Sequence, residues 1–109
     1  MPLQRAAVKT PGERSCLHLV VEPRRVLLAS CASQCAPGDL VFFLANGVLA
    51  LADDGLALFE PKAQRLLFSV EDIGARGLQA LAERLGVELA DDDGLAALIC
   101  QSDHCLTWK

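Results

Sequence analysis

Apolar positions along this chain recur with two periods, and the switches between them mark out the elements. Cys16–Val21 (CLHLVV) is a short apolar run suited to a buried strand, and Pro23 breaks it. Leu28, Cys31, Ala32 and Cys35 then fall on one helical face, which predicts a helix over about residues 24–36 ended by Pro37-Gly38. Leu40–Leu44 (LVFFL) is apolar at every position, as a central parallel strand covered on both faces is. A short, weakly helical stretch follows Asn46-Gly47 and ends near Gly55, and Leu56–Pro61 reads as a connection. Leu66–Val70 (LLFSV) predicts a third strand. Leu78, Leu81, Ala82 and Leu85 predict a helix capped by Gly86, and Val87–Ala90 a short fourth strand. Asp91, Asp92 and Asp93 stand before the stripe Leu95, Leu98 and Ile99, where carboxylates suit a helix start because they accept free backbone N–H groups. Cys105–Trp108 (CLTW) closes the chain as a fifth strand.

This alternation of strand and helix predicts an α/β domain: a three-layer, mostly parallel five-stranded sheet with helices on both faces. Residues 1–14 carry Pro2, Pro11 and Gly12 without periodicity and read as an arm, which leaves residues 15–109 as a single domain.

Composition adds a bias toward partners. Apolar residues make up 52% of the 109 and only 22% are charged, so the mean hydropathy is positive for so small a chain. A domain of this size has much surface for its volume, and surplus apolar area on it points to a subunit interface. The net charge is −4, with +3 in residues 1–25 and −7 in the rest. An acidic body argues against direct contact with nucleic acid, which needs a basic face. No apolar run reaches membrane-spanning length, and the first fourteen residues lack the apolar centre of a signal peptide, so the expected setting is the cytoplasm. Five cysteines there read as free thiols.

Few residues stand out as chemistry. Cys31 and Cys35 share a helix face with Leu28 and Ala32, where cysteine reads as a small core side chain. A dithiol four apart is also not the Cys-x-x-Cys redox arrangement. Cys100, His104 and Cys105 lie close in sequence, but their spacing matches no strong zinc pattern, and His104 reads as part of the turn before the last strand. His18, within an apolar strand, reads as a hydrogen-bonded core histidine. The acidic triplet is explained by the helix start. Asn46-Gly47 is too poor in glycine for a phosphate loop. No cofactor or metal is expected.

Three stretches carry a resemblance. VELADDDGLAALICQSDHCLTW, with Asp91, Asp93, Gly94, Leu95, Leu98, Asp103 and Trp108, resembles the closing segment of the TusB/DsrH family. LASCASQCAPGDLVFFLANGVLALA resembles that family's first helix, turn and apolar strand, with Ser30, Cys31, Gly38, Asp39, Gly47, Val48 and Ala50 in the matching places. DIGARGL, from Asp72 to Leu78, resembles its acidic-x-x-Ala-Arg-Gly segment. The chain departs from the family at VVEPRR after the first strand, at Asn46 where an acidic residue is usual, and at Leu49 where an aromatic is. The resemblance covers about residues 16–108. It implies a DsrE-like fold and assembly with TusC- and TusD-like subunits into a heterohexamer of two copies each. That complex relays persulfide sulfur, in the Tus branch to 2-thiouridine at the tRNA wobble position and in the Dsr branch for sulfur oxidation. The main sulfur-carrying cysteine lies on another subunit, which makes this chain an accessory, non-catalytic one. Some members carry a cysteine in the first helix, so the resemblance makes Cys31 a candidate persulfide carrier. A stand-alone thiol enzyme using Cys31 with Cys35 or Cys105 is the alternative.

Overall fold

A computed structural model describes residues 16–59 and 65–109. The arm expected over residues 1–14 and the end of the connection at Pro61 lie outside them. Five strands form one sheet: β1 (Cys16–Val20), β2 (Leu40–Phe43), β3 (Arg65–Ser69), β4 (Glu88–Ala90) and β5 (His104–Trp108). All four pairings are parallel, in the order β4-β3-β2-β1-β5. The chain therefore steps outward from β1 to β4 and then returns past β1 to the opposite edge. LVFFL falls at the centre of the sheet, as its unbroken apolar run requires.

Alternation along the strands divides the core in two. Val20, Val41, Phe43 and Phe68 face helix α1 (Arg25–Gln34), two 3₁₀ stretches (Ala45–Ala52 and Asp54–Phe59), and the helices α2 (Val70–Ala75) and α3 (Gln79–Leu85). There Phe43 stacks on Phe68 with ring centres 4.6 Å apart and meets Phe59 edge-on at 5.7 Å. Leu17, Phe42 and Leu67 face the other way, toward Leu95 and Leu98 of helix α4 (Asp92–Gln101). Helices on both faces of a parallel five-stranded sheet make the three-layer α/β fold expected from the sequence.

The helix ends follow from local chemistry. Asp91 caps α4 by accepting the Gly94 N–H at 2.8 Å, and Asp92 and Asp93 occupy its first turn. Gly86 ends α3 in the left-handed region, at φ 66°, which suits a residue without a Cβ. Two expectations shift. Val70 opens α2 instead of ending β3, because the Ser69 hydroxyl accepts the Asp72 N–H at 3.2 Å and Glu71 and Asp72 fill the first turn. Leu56–Phe59 is 3₁₀ helix rather than plain connection. At the carboxyl end of β2, Gly47 sits so close to β1 that a Cβ there would lie 2.0 Å from the Val20 carbonyl oxygen.

Candidate functional site: a thiol, imidazole and carboxylate cluster

β1 turns Cys16, His18 and Val20 toward α1 and Leu17 and Leu19 toward α4, since side chains alternate across a strand. The connection from α1 to β2 returns to the amino end of the sheet and brings Asp39 beside His18. His18 Nε2 donates to Asp39 Oδ2 at 2.9 Å, and the same oxygen accepts the Ala36 N–H at 3.0 Å. His18 and Asp39 are 1% and 4% exposed, so this is a buried polar pair that needs its partners. On the other side, Trp108 Nε1 donates to His18 Nδ1 at 3.0 Å. β5 makes this possible because it pairs with β1 in register, Leu106 opposite His18 and Trp108 opposite Val20.

The indole fixes the tautomer. Trp Nε1–H can only donate, so Nδ1 is the bare nitrogen and Nε2 carries the hydrogen given to Asp39. Both nitrogens are thus engaged, and His18 has no free lone pair with which to take a thiol proton. A Cys–His–Asp relay of the hydrolase kind is therefore not what this arrangement builds. Burial opposes a positive charge on the ring, but hydrogen bonds and charge from Cys35 and Asp39 outweigh it and hold the His18 pKa above the ordinary value. The second proton goes to Nδ1 only if the indole swings away.

Two thiols complete the cluster. Cys31 lies in the last turns of α1 with no exposed surface, and Cys35 is the residue just past the helix, half-buried. Their sulfurs and a ring nitrogen of His18 lie within 4.8 Å of one another. Cys31 donates its S–H to Cys35. That bond pushes the Cys35 thiol down to about 6, against its burial and with help from His18. The same bond, with burial, pushes Cys31 well above the ordinary thiol range. Cys16 is pushed up to about 11, first by burial and then by the negative charges of Asp39, Cys35 and Cys105. The C-terminal end of α1 disfavours an anion on Cys35, so the hydrogen-bond donors do the stabilising.

His18 with Cys31 and Cys35, and His18 with Cys16 and Asp39, are close enough to suggest metal-ligand sets. The chemistry of the ring does not fit one. Nδ1 accepts the Trp108 N–H and Nε2 carries the hydrogen given to Asp39, so in this arrangement neither nitrogen offers a lone pair to a metal. Cys100 and Cys105 are exposed, and His104 is the first residue of β5 rather than part of the turn before it. Neither thiol enters the converging groups found among the described residues.

The expected sulfur carrier, Cys31, is thus at the cluster but fully buried, and the thiol that combines access with a lowered pKa is Cys35. His18, as expected, is a buried histidine with hydrogen-bond partners. Spacing gave no sign that those partners are Asp39 and Trp108.

A second polar network lies at the carboxyl ends of β2 and β3. Asp72 Oδ2 accepts the Ala45 N–H at 2.8 Å, which holds Ala45 at φ 52°. Arg76 spans the network, donating to Asn46 Oδ1 at 2.9 Å and to Asp72 Oδ1 at 3.3 Å.

The fold and these contacts define a parallel α/β protein with a paired-thiol centre ordered by a Trp–His–Asp chain of hydrogen bonds. No family model matches the chain, and no curated protein matches it.

Proposed function

We propose that this chain is an accessory subunit of a TusBCD-type sulfur-transfer complex, in which persulfide sulfur moves toward 2-thiolation of the tRNA wobble uridine. One observation carries the reading. Polar residues from the three stretches that resemble the TusB/DsrH family are tied into two hydrogen-bonded networks, one at each end of the parallel strands. Asn46 of the second stretch is joined to Asp72 and Arg76 of the third through Arg76. Trp108, from the closing stretch, is joined through His18 to Asp39 and the thiols of the first helix. Asp39, Asp72, Arg76 and Trp108 stand at matching places of that resemblance, and each is engaged in one of these networks, while Asn46 stands where the family has an acidic residue.

The surface supports a subunit. Val26, Leu85, Ile99 and Leu106 are large apolar side chains left exposed. Helix α4 has no fully buried residue, and β5 is an edge strand of five residues without Pro, Lys or Arg. Unguarded edges and apolar patches are usually covered by partners. In this reading TusC- and TusD-like chains cover them in a cytoplasmic heterohexamer, and the acidic body keeps tRNA on other subunits. No helix among the described residues is long and apolar enough to cross a membrane.

Co-expression with TusC- and TusD-like subunits, followed by affinity purification through this chain, tests the proposal. The expected product is a stable assembly with two copies of each subunit. Recovery of this chain alone, under conditions where the other two associate, would overturn it.

A further inference from the structure

Cys31 and Cys35 leave α1 differently. Within a helix, side chains four apart point the same way with Cβ atoms about 5–6 Å apart, a poor geometry for a disulfide. Cys31 is held in that geometry. Cys35 is not: its backbone is extended, with ψ 134°, and its N–H makes one bond to the Ala32 carbonyl at 3.3 Å. Beyond it runs Ala36-Pro37-Gly38, with Gly38 at φ 92° and open space where a Cβ would be. The sulfur of Cys35 already lies within 4.8 Å of that of Cys31 and can close on it by a local shift of the chain after the helix.

We propose that Cys35 and Cys31 act as a dithiol that opens the S–S bond of a small sulfur electrophile, a disulfide or a hydropersulfide, with Cys35 attacking and Cys31 resolving. The Cys35 thiolate attacks one sulfur of R–S–S–R. A bond forms from Cys35 Sγ, the electrophile's S–S bond breaks, and R–S⁻ leaves. Cys31 then attacks Cys35 Sγ, its proton passing to the departing thiolate, and the second R–S group leaves. The dithiol has lost two electrons and the electrophile has gained two, as two R–SH. With R–S–SH, attack at the outer sulfur gives Cys35–S–SH and R–S⁻, and resolution by Cys31 releases hydrogen sulfide. His18 is a positioning residue here. Its Nε2–H is held by Asp39 and its Nδ1 by Trp108, so the ring stays fixed beside both sulfurs and takes no proton from either thiol.

Roles follow from place. Cys35 is only partly buried, and Cys31, fully buried, meets an electrophile only after Cys35 has brought it in. The lowered thiol of Cys35 and the raised one of Cys31 agree with attacking and resolving roles.

The test uses the full chain alone, reduced and desalted, in two arms: glutathione disulfide and sodium tetrasulfide. Samples at pH 7 are quenched with iodoacetamide, digested with trypsin and mapped by mass spectrometry. Cys31 and Cys35 share the peptide 26–62, Cys16 lies in another, and Cys100 and Cys105 in a third. Expected in both arms is a peptide 26–62 lighter by two hydrogens and carrying no alkyl group, with sulfide released in the tetrasulfide arm. Cys31→Ala should stop at an adduct on Cys35, and Cys100→Ser with Cys105→Ser should leave the crosslink unchanged. Cys35, with its lowered thiol pKa, should be consumed before Cys16, whose pKa is raised. A peptide 26–62 alkylated at both cysteines while Cys100 and Cys105 carry adducts would overturn the proposal. The wild-type map decides even if Cys31→Ala fails to fold. This inference stands apart from the relay reading: a chain that crosslinks but binds no TusC- or TusD-like subunit counts only against the latter, and one that assembles without crosslinking counts only against the dithiol.

Discussion

Replacing Asp39 by Ala removes one carboxylate oxygen from two donors, and the cost can be worked from their surroundings. The His18 N–H, 2.9 Å from that oxygen, belongs to a ring that is 1% exposed, so without Asp39 it is a buried donor with no acceptor. Such a group costs about 2 kcal/mol. The Ala36 N–H, 3.0 Å away and only partly buried, finds water more easily and costs about 1 kcal/mol. The expected loss is therefore about 3 kcal/mol, a large share of the ~5–15 kcal/mol that holds a domain of this size together. In urea denaturation, with a slope of ~1–3 kcal/mol per molar, the midpoint falls by about 1–3 M. Asp39→Asn keeps an acceptor oxygen for both donors and should lose about 1 kcal/mol or less. Both variants should still bury His18, so the midpoint moves while the slope does not. Equal losses in the Ala and Asn variants, or a loss below about 0.5 kcal/mol in Asp39→Ala, would show that the carboxylate does not hold the cluster.

Other consequences can be measured on the same protein. The His18 pKa lies above its ordinary value of 6.5, so the folded state binds this proton more tightly than the unfolded chain; the resulting stability is full below pH 6.5 and is lost as pH rises through the folded pKa, which a series of urea midpoints will show as a decline. Trp108→Phe removes the donor that keeps Nδ1 bare, so the His18 ring resonances should titrate at higher pH than in the wild type, at a stability cost of about 1 kcal/mol. Gly47→Ala places a Cβ 2.0 Å from the Val20 carbonyl oxygen, and because only backbone movement relieves it, the melting temperature should fall by more than about 10 °C. The Arg65–Glu88 pair joins β3 to β4 at the surface with both side chains well exposed, so Glu88→Gln should cost at most about 0.5 kcal/mol and nothing measurable in high salt.

The sheet was legible because its signals are local. LVFFL needs cover on both faces wherever it lies, and the acidic triplet at Asp91 starts a helix through contacts within one turn. The short helix α2 was missed for the same kind of reason. Val70 continues the apolar run of β3, and only the Ser69 hydroxyl reaching Asp72 shows that the strand has already ended. The thiol centre divides along the same line. The periodic stripe placed Cys31 on the core face of α1, where it is buried, but extended the helix through Cys35, which in fact lies outside it. The partners of His18 come from 21 and 90 residues away, and no spacing rule reaches that far. Trp108 could be picked out by family likeness, but its bond to Nδ1, which decides what the histidine can do, follows only from the register of β5 on β1.

The proposed place of this chain in a sulfur relay ending at tRNA can be tested by quantifying wobble 2-thiouridine by mass spectrometry in a strain lacking this chain. The expected result is loss of the thiolated nucleoside and its return when the wild-type chain is supplied from a plasmid. Unchanged 2-thiouridine in the deletion strain would contradict it.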